Sequence, residues 1–567
     1  MPYRAPLSEF QFLYAHVVGL EQVSGTALFA DASADMVEAI LAEAGRLCAG
    51  TLAPLNRMGD KHPARLENGI VRTSPGFAEG YRAIAGGGWV GMTASPEHGG
   101  MGLPMAVATA VNEMMASACL ALQLNPLMTQ GQIEALEHHA SDALKAVYIP
   151  KLISGDWCGT MNLTEPQAGS DVGALRTRAE ALGDGSYAVT GQKIYITWAD
   201  NDFSENVCHL VLARLPGGGE GTRGISLFMV PKFIPDAEGR VGARNSLGVV
   251  SLEHKLGLHG SPTAVMQYDG AKAWLIGEEH KGMAAMFTMM NNARLGVGVQ
   301  GVGVAEAAYQ QALGYALDRR QGKTPLSAKG PISDHADVRR MLAVMKADVF
   351  SARAIALSCA VAIDMARATG SAVWLARAAL LTPIAKAFGT DVGNDTAQMG
   401  VQVHGGMGFI EETGAAQFAR DVRVTSIYEG TNGIQAMDLV GRKMMDGGEA
   451  ALRLIDDMQK GAVLARTALP DLAGAVWDAA EALREATEGL VGLEMNDRFA
   501  GAVPYLRAFA RVLGGHFHLV AAMADSARLP LARVAIGRLL PEYAALLAQV
   551  RVGAGDLYAL TNADLSA

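Results

Sequence analysis

Cysteine is scarce in this 567-residue chain, and its few cysteines stand far apart. There are five, and none forms the C-x-x-C pair that is typical of many metal and redox sites. Their odd number and wide spacing argue against a disulfide framework and against a zinc site. We therefore expect reduced core thiols in a cytoplasmic protein that binds no metal. The five are Cys48, Cys119, Cys158, Cys208 and Cys359.

The chain also lacks an excess of positive charge and long hydrophobic runs. Lys and Arg number 47 against 57 Asp and Glu, so the formal net charge is −10. This balance excludes general nucleic-acid binding, which requires a basic surface, but it permits a local basic pocket for a phosphate. No run of about 18 apolar residues occurs, and the start M-P-Y-R-A-P-L-S-E-F has no signal-peptide core. We expect neither a nucleic-acid partner nor a membrane span.

Glycine and methionine, by contrast, are abundant, with 66 and 27 residues. Half of all residues are apolar and 18% are charged, which indicates a large folded core and not a disordered chain. So much glycine indicates many tight turns or close helix contacts. The methionines indicate adaptable packing, either around a flat ligand or simply within the core.

Apolar periodicity separates a helical beginning from a strand-forming middle. Up to residue 157 the pattern is mostly helical, but Gly and Pro predict irregular chain over 61–102. From 158 to 280, short alternating runs follow one another without a helix, which predicts an antiparallel β region. Within it we predict a turn at G-Q-K (191–193), and the pair Asp269-Gly270 is a hairpin signal.

Helical periodicity returns after residue 280 and continues through an Ala- and Leu-rich end. Segregated strands and helices argue against a nucleotide-binding βαβ sheet. The sequence therefore predicts an α+β fold, mostly α. Its predicted domains are an N-terminal helical domain (1–157), a middle β domain (158–280), a C-terminal helical bundle (281–445) and an additional helical extension (446–567). The predicted helices of the bundle are 283–320, 333–369, 373–404 and 432–445.

Two candidate segments lie in the β region. M-N-L-T-E-P-Q-A-G-S-D at 161–171 carries hydroxyl donors and glycine in a loop that could bind the edge of a planar ring, or is an ordinary turn. In Y-I-T-W at 195–198, Trp198 could stack on such a ring, or is a core residue of an amphipathic strand.

Two more candidate segments lie in the helical bundle. Q-V-H-G-G-M-G-F at 402–409 places adjacent glycines after a helix, either for ligand approach or as a helix cap, and His404 is more simply a structural histidine. In I-Y-E-G-T-N-G-I-Q at 427–435, Glu429 is either a helix-dipole partner or a general base in an apolar pocket. Basic residues in R-R-Q-G-K at 319–323, and Arg294, could contact phosphates or lie on solvated helix faces.

Taken in this order, the segments resemble the acyl-CoA dehydrogenase family over at least residues 90–445. The resemblance implies the family's helical, β and helical domains, FAD as cofactor, and oxidation of an acyl-CoA to the trans-2-enoyl-CoA. Glu429 corresponds to the base that removes the α-proton while the flavin takes the β-hydride. Electron-transfer flavoprotein would accept the electrons. Shared FAD binding would require a homodimer or a larger homo-oligomer.

The resemblance also assigns residues to the ligands. Substrate would contact Ser170, Arg294, Glu429 and Gly430. Arg319 would reach an FAD held mainly by a neighbouring subunit. The residues implied to contact FAD are Met161, Leu163, Thr164, Gly169, Ser170, Ile196, Thr197, Arg319, Gln402, Gly405, Gly406 and Thr431.

Further stretches at 76–81, 252–263 and 289–301 resemble a longer subfamily, whose implied substrate is 3-methylmercaptopropionyl-CoA of the dimethylsulfoniopropionate demethylation pathway. Fatty acyl-CoAs of other chain length, and an acyl-CoA oxidase that uses dioxygen, remain alternatives. A non-catalytic flavoprotein scaffold is a further alternative, which the intact Glu429 disfavours.

Two positions depart from the family pattern. Asn291 stands where an Asp usually precedes the Arg at 294, and Gly441 stands where short members have an Arg that contacts CoA. Shorter members lack the last 122 residues. This extension is either a packing and dimer-stabilising bundle or a membrane-surface module, and its weak basic character disfavours the second.

Overall fold

The structure, a computed structural model, describes residues 3–326 and 328–567. Its packing divides the chain into two compact units. The first comprises the residues up to Ala42, Pro104–Ser117 and Arg294–Ala567, and the second comprises Glu43–Leu103 and Ala118–Ala293. The predicted domain boundaries stay a prediction.

Helices dominate the chain before and after a block of strands, which confirms the predicted fold class. The helices are α1 (Leu7–His16), α2 (Glu21–Ser24), α3 (Ala34–Leu47), α4 (Ala53–Lys61), α5 (Phe77–Gly86), α6 (Met105–His139), α7 (Asp142–Ile153), α8 (Gly282–Asp318), α9 (Ala336–Thr369), α10 (Ala372–Val403), α11 (Ala415–Val422), α12 (Asn432–Val440), α13 (Glu449–Ala465), α14 (Pro470–Val491), α15 (Met495–Ala500), α16 (Ala502–Ala524), α17 (Leu529–Val534), α18 (Glu542–Val550), α19 (Gly555–Ala559) and α20 (Asn562–Ser566). The strands are β1 (Arg65–Glu67), β2 (Ile70–Arg72), β3 (Trp157–Asn162), β4 (Arg178–Ala181), β5 (Tyr187–Thr197), β6 (Asn206–Arg214), β7 (Ile225–Pro231), β8 (Phe233–Pro235), β9 (Val241–Arg244), β10 (Leu247–Leu252) and β11 (Thr263–Ile276).

The main sheet of the second unit runs in the order β10-β11-β5-β4-β6-β3, and β7 pairs with both β11 and β6. The sheet thus folds back on itself and encloses an apolar core that includes Ile196, Val211 and Phe228. The antiparallel prediction is only partly right, because β3 and β4 pair with β6 in parallel. Parallel neighbours need a long connection, and the segment between β3 and β6 supplies it.

Three local predictions in the second unit were wrong. Strand β11 continues through Asp269 and Gly270, whose positive φ of 68° makes a bulge in the pairing with β5 and not a hairpin. The predicted turn at G-Q-K is instead part of β5, which continues through these residues. Gly191 permits a close approach to Thr177, because a Cβ on Gly191 would lie 2.9 Å from the Cα of Thr177. The segment 61–102, predicted to be irregular, contains α5 and the β1–β2 hairpin.

Helices α8 and α10 of the first unit cross with direct backbone contact. A Cβ on Gly298 would lie 2.5 Å from the carbonyl oxygen of Ala385, and one on Gly301 would lie 2.3 Å from that of Gly389. Tyr315 and His404 stack at the other end of the pair with ring centroids 4.4 Å apart. The two helices therefore run side by side in the same direction, and this confirms that glycine provides close helix contacts.

The C-terminal extension packs against the helices that precede it. Helix α16 contacts α9, α10 and α12. Arg511 of α16 forms ion pairs with Asp348 of α9 and with Glu542 of α18. In the pair with Glu542, Nε of Arg511 lies 2.5 Å from Oε2. Behind the end of α12, a Cβ on Gly441 would lie 3.6 Å from the ring of Phe499. The extension is thus part of the first unit's core.

All five cysteines are free and buried, as predicted. Three helices are long and apolar enough to cross a membrane. Most of the most apolar 18-residue window of each helix is buried inside the structure: 94% in α6, 89% in α9 and 61% in α10. Within 3–326 and 328–567, no three His, Cys, Asp or Glu side chains are grouped as metal ligands would be.

Candidate active site

Glu429 and Gly430 occupy a strained turn directly before α12. Their φ angles are 54° and 83°, in the left-handed region that a residue with a side chain rarely adopts. Gln435, buried on α12, donates from Nε2 to the Glu429 carbonyl oxygen at 3.1 Å. A Cβ on Gly430 would lie 2.8 Å from the same Nε2, so only glycine fits here. Strain of this kind persists where the surroundings enforce it, often at functional sites.

The Glu429 carboxyl lies in an environment that favours its neutral form. Burial raises its pKa to about 7, and the nearby charges of Arg294 and Lys386 limit the rise. A carboxyl with a pKa near 7 is far more basic than an exposed glutamate. It is therefore suited to accept a proton at neutral pH.

Arg294 on α8 is buried and pairs with Asp438 on α12, with Nη1 3.4 Å from Oδ2. Asp438 also accepts from Nε of Arg442 at 2.6 Å. Among the described residues, Nε of Arg294 has no hydrogen-bond partner. Its predicted contact with CoA stays a prediction, and the structure adds Asp438, which no sequence motif indicated.

Lys386 and Asn432 were also missed in the sequence. Lys386 donates to the carbonyl oxygen of Gly430 at 2.8 Å and to Oδ1 of Asn432 at 2.9 Å. Thr431, predicted to contact FAD, caps α12 by accepting the backbone N–H of Ile434 at 3.2 Å. A lysine inside an apolar helix gives no signal by itself, whereas Asn432 lies within the motif around Glu429.

The other predicted residues of the first unit lie at the far end of the α8–α10 pair. Arg319 follows α8, Gln402 ends α10, and the exposed Gly405 and Gly406 follow it. At 1.5 Å per residue, Gln402 is about 24 Å along α10 from Lys386. The structure does not bring these residues to Glu429.

His404, in the same segment, is structural, as its simpler interpretation predicted. It is buried, its Nδ1 lies 2.7 Å from the Gly400 carbonyl oxygen, and its ring stacks on Tyr315. Burial also lowers its pKa. It is committed to packing and is unsuited to proton transfer.

In the second unit, a buried ion pair fixes the loop after β3. Lys193 donates to Oε1 of Glu165 at 2.8 Å and to the carbonyl oxygen of Leu163 at 2.9 Å. Glu165 also accepts the backbone N–H of Arg176 at 2.7 Å and of Thr177 at 3.0 Å. The loop is therefore held rigidly. The predicted ligand residues Leu163 and Thr164 are partly exposed on this loop, and Gly169 and Ser170 are exposed. Met161 is partly exposed near the end of β3.

At the end of β5, Ile196 points into the core and Thr197 is partly exposed. Their predicted contacts with FAD stay predictions. Trp198 is a core residue and not a stacking platform, since it is fully buried and its Nε1 donates to Ala121 O at 3.0 Å. Tyr195, which the sequence reasoning passed over, is 61% exposed at a positive φ of 61°.

These surfaces fit a flat heteroaromatic ring with a polar edge. Thr164 and Thr197 are partly exposed residues with hydroxyl donors, and Met161, Leu163 and Tyr195 are partly or fully exposed apolar residues. The residues of the second unit are thus of the types that an isoalloxazine ring requires.

Family models match the chain in succession. They are "Acyl-CoA dehydrogenase, N-terminal domain" at 36–156, "middle domain" at 160–271 and "C-terminal domain" at 280–445. A fourth, "Acetyl-CoA dehydrogenase C-terminal like", matches 454–561 in the extension.

Individual relatives agree with the family models. The chain is 44% identical to 3-methylmercaptopropionyl-CoA dehydrogenase of Ruegeria pomeroyi over 547 residues, which is 93% of this chain and 92% of the relative. Two crystal structures share the fold at 21% identity. One is Caenorhabditis elegans ACDH-11 in complex with C11-CoA (TM-score 0.79, covering 95% of this chain and 92% of the other). The other is Bacillus anthracis acyl-CoA dehydrogenase with FAD (TM-score 0.74, covering 100% and 95%). The chain belongs to the acyl-CoA dehydrogenase family.

Proposed function

We propose that this acyl-CoA dehydrogenase oxidises 3-methylmercaptopropionyl-CoA to 3-methylthioacryloyl-CoA, with Glu429 as the base. The substrate assignment rests on the 44% identity to the Ruegeria pomeroyi enzyme, which extends over nearly the whole of both chains. The assignment of the base rests on one observation: Glu429 is partly buried in the turn that Gln435 and Lys386 hold, where burial raises the pKa of its carboxyl to about 7.

Glu429 takes the α-proton of the thioester. An α-C–H is a weak acid, so the thioester oxygen must be stabilised as negative charge develops on it. The backbone N–H of Glu429 has no backbone acceptor among the described residues and is available to that oxygen. Gln435 and Lys386 hold the carbonyl oxygens of Glu429 and Gly430. The turn is thus fixed before substrate binds and need not reorganise during the reaction.

FAD, when bound, accepts the hydride that leaves the β-carbon with its electron pair, and the product is the trans-2-enoyl thioester. We assign the polar edge of the flavin to Thr164 and Thr197, and neighbouring contacts to Met161, Leu163 and Ser170. Glu165 and Lys193 hold the loop after β3, which carries Leu163, Thr164 and Ser170. They act on orientation and not on the proton.

The second predicted FAD set supports a homodimer or a larger homo-oligomer. Gln402 lies about 24 Å from Lys386 along α10, and Arg319, Gly405 and Gly406 lie at the same far end of the α8–α10 pair, so they do not serve the Glu429 end of the same chain. Binding part of a neighbouring subunit's FAD gives them a role. Electron-transfer flavoprotein as acceptor and a cytoplasmic location complete the proposal.

One anaerobic visible spectrum of the FAD-loaded enzyme, before and after 3-methylmercaptopropionyl-CoA is added, tests the substrate. Bleaching of the flavin band within the first turnover is the expected result. If butanoyl-CoA or a longer acyl-CoA bleaches it and 3-methylmercaptopropionyl-CoA does not, the substrate assignment is wrong. Rapid turnover in air without an electron-transfer partner would identify an oxidase.

A further inference from the structure

Lys386 is a fully buried lysine in the middle of α10, with 0% of its surface exposed. It lies where α8 packs closely on α10, since a Cβ on Gly298 would be 3.0 Å from the Cα of Lys386. Burying an ammonium group is unfavourable unless it has specific partners. The position therefore requires an explanation beyond packing.

The partners of the Lys386 ammonium lie in the turn that carries Glu429. Nζ donates to the Gly430 carbonyl oxygen at 2.8 Å and to Oδ1 of Asn432 at 2.9 Å. Asn432 in turn donates from Nδ2 to Oδ1 of Asp391 at 2.7 Å and to the hydroxyl of Thr390 at 2.9 Å. The segment 430–432 is thus fastened to one face of α10.

We propose that Lys386 is a positioning residue for Glu429, holding the strained 429–430 backbone in place while its positive charge makes the carboxylate easier to form. The proposal rests on the assignment of Glu429 as the base. It explains both why the buried ammonium contacts a backbone carbonyl and why it lies beside an acidic side chain without pairing with it in a salt bridge.

The charges around Glu429 and Lys386 determine the direction in which Lys386 shifts the pKa of Glu429. Arg294 and Lys386 both favour the ionised form of Glu429, against burial. Burial lowers the pKa of Lys386 to about 8. The negative charges of Glu429 and Asp391 raise this pKa, and the positive charge of Arg294 lowers it further. Tyr428 also faces Glu429 and stays neutral, because burial raises its pKa. Removing the Lys386 charge must therefore raise the pKa of Glu429.

Two neutral variants separate the charge from the hydrogen bonds. Lys386→Met removes both, and Lys386→Gln keeps an amide donor for the Gly430 carbonyl without the charge. Thr390→Val is the matched control, since it removes the contacts of the Thr390 hydroxyl with Asn432 on the same helix face and leaves the charge. The FAD-loaded full-length protein is used for all of them.

The first measurement is the pKa of Glu429, followed as the infrared carbonyl band of the protonated carboxyl that is absent in Glu429→Gln. The second is the pH dependence of flavin reduction by acyl-CoA. We expect both Lys386 variants to raise the pKa by about one unit or more. Flavin reduction should then slow about tenfold on the acid limb, and in Lys386→Gln it should recover at high pH with little change in KM. Thr390→Val should leave the pKa in place.

If Lys386→Gln folds, binds FAD and keeps the wild-type pKa of Glu429, the proposal is wrong. This result is independent of the base assignment. That assignment fails only if Glu429→Gln retains turnover. Should Lys386→Met not fold, Lys386→Gln alone decides.

Discussion

The guanidinium of Arg294 is paired across two helices with the carboxylate of Asp438, Nη1 to Oδ2 at 3.4 Å. The family pattern places an acidic residue on the same helix as this arginine, where the chain has Asn291. Here the negative charge comes instead from α12, the helix that begins directly after the turn of Glu429. The departure at Asn291 therefore leaves the arginine paired with a carboxylate from another element.

Replacing Asp438 with Asn should make Glu429 a weaker base. Arg294 would no longer share its charge with a carboxylate, so its attraction for ionised Glu429 would grow. We expect the acid limb of flavin reduction to move to lower pH by up to about one unit. A stability loss of about 3 kcal/mol should accompany it, because a buried arginine loses its partner.

Stopped-flow flavin reduction across pH and urea denaturation measure the two effects of Asp438→Asn. Asp337→Asn, at an exposed pair with Arg340, is the control and should change neither. A shift of the acid limb to higher pH would contradict the electrostatic account.

Glu429→Gln should abolish most dehydrogenation while FAD stays bound. A missing general base slows a reaction by about 10²–10⁴-fold, and more when no other group replaces it. The anaerobic rate of flavin bleaching by acyl-CoA measures the loss. Near-normal bleaching would remove Glu429 from the role of base.

The same variant should be more stable than the wild type at high pH. The folded protein holds the Glu429 proton up to about pH 7, whereas the unfolded chain releases it near 4.5. Wild-type stability therefore falls as pH rises between these values, and glutamine avoids this loss. We expect a gain of about 1–3 kcal/mol at pH 8 and none near pH 4, by urea denaturation. A gain that is equal at both pH values would show that ionisation is not its cause.

Gly389→Ala should destabilise the first unit by about 1–3 kcal/mol, because the new methyl would lie 2.5 Å from the carbonyl oxygen of Gly298. Gly474→Ala, in α14 with no atom within 4 Å, is the control and should be neutral or stabilising. Thermal denaturation distinguishes them. Equal effects would mean that the crossing tolerates a side chain.

Arg511→Leu should destabilise the protein by about 3–5 kcal/mol, because it leaves Asp348 buried without its cation. Exposed Arg533→Leu is the control.

Liposome sedimentation of the full chain tests the alternative role of the extension. Strong binding to vesicles by a fully folded sample would favour the membrane-surface interpretation.

Sequence patterns predicted the features that depend on local periodicity or on short motifs. The three long helices predicted in the bundle were placed within about three residues, for example 283–320 against Gly282–Asp318. Glu429 stood out because a motif surrounds it. The predicted hairpin at Asp269-Gly270 was wrong because a glycine with positive φ occurs both in hairpin turns and in β-bulges. Which of the two forms depends on the pairing with neighbouring strands.

What sequence reasoning missed depends on contacts between distant parts of the chain. Lys386 and Gly430 are bonded although 44 residues separate them, and Asp438 reaches Arg294 across 144. Tyr195 was passed over because its neighbours Ile196 and Thr197 alternate as in any strand. Its exposure results from a left-handed backbone that the pattern does not encode.

The packing of Phe499 behind Gly441 has a consequence for how relatives can be recombined. One face of α12, the helix that begins after the turn of Glu429, is buried against the extension. A chain without the extension lacks this packing partner. The extension and α12 therefore form one packing unit. A chimera that takes either of them from a relative must take both.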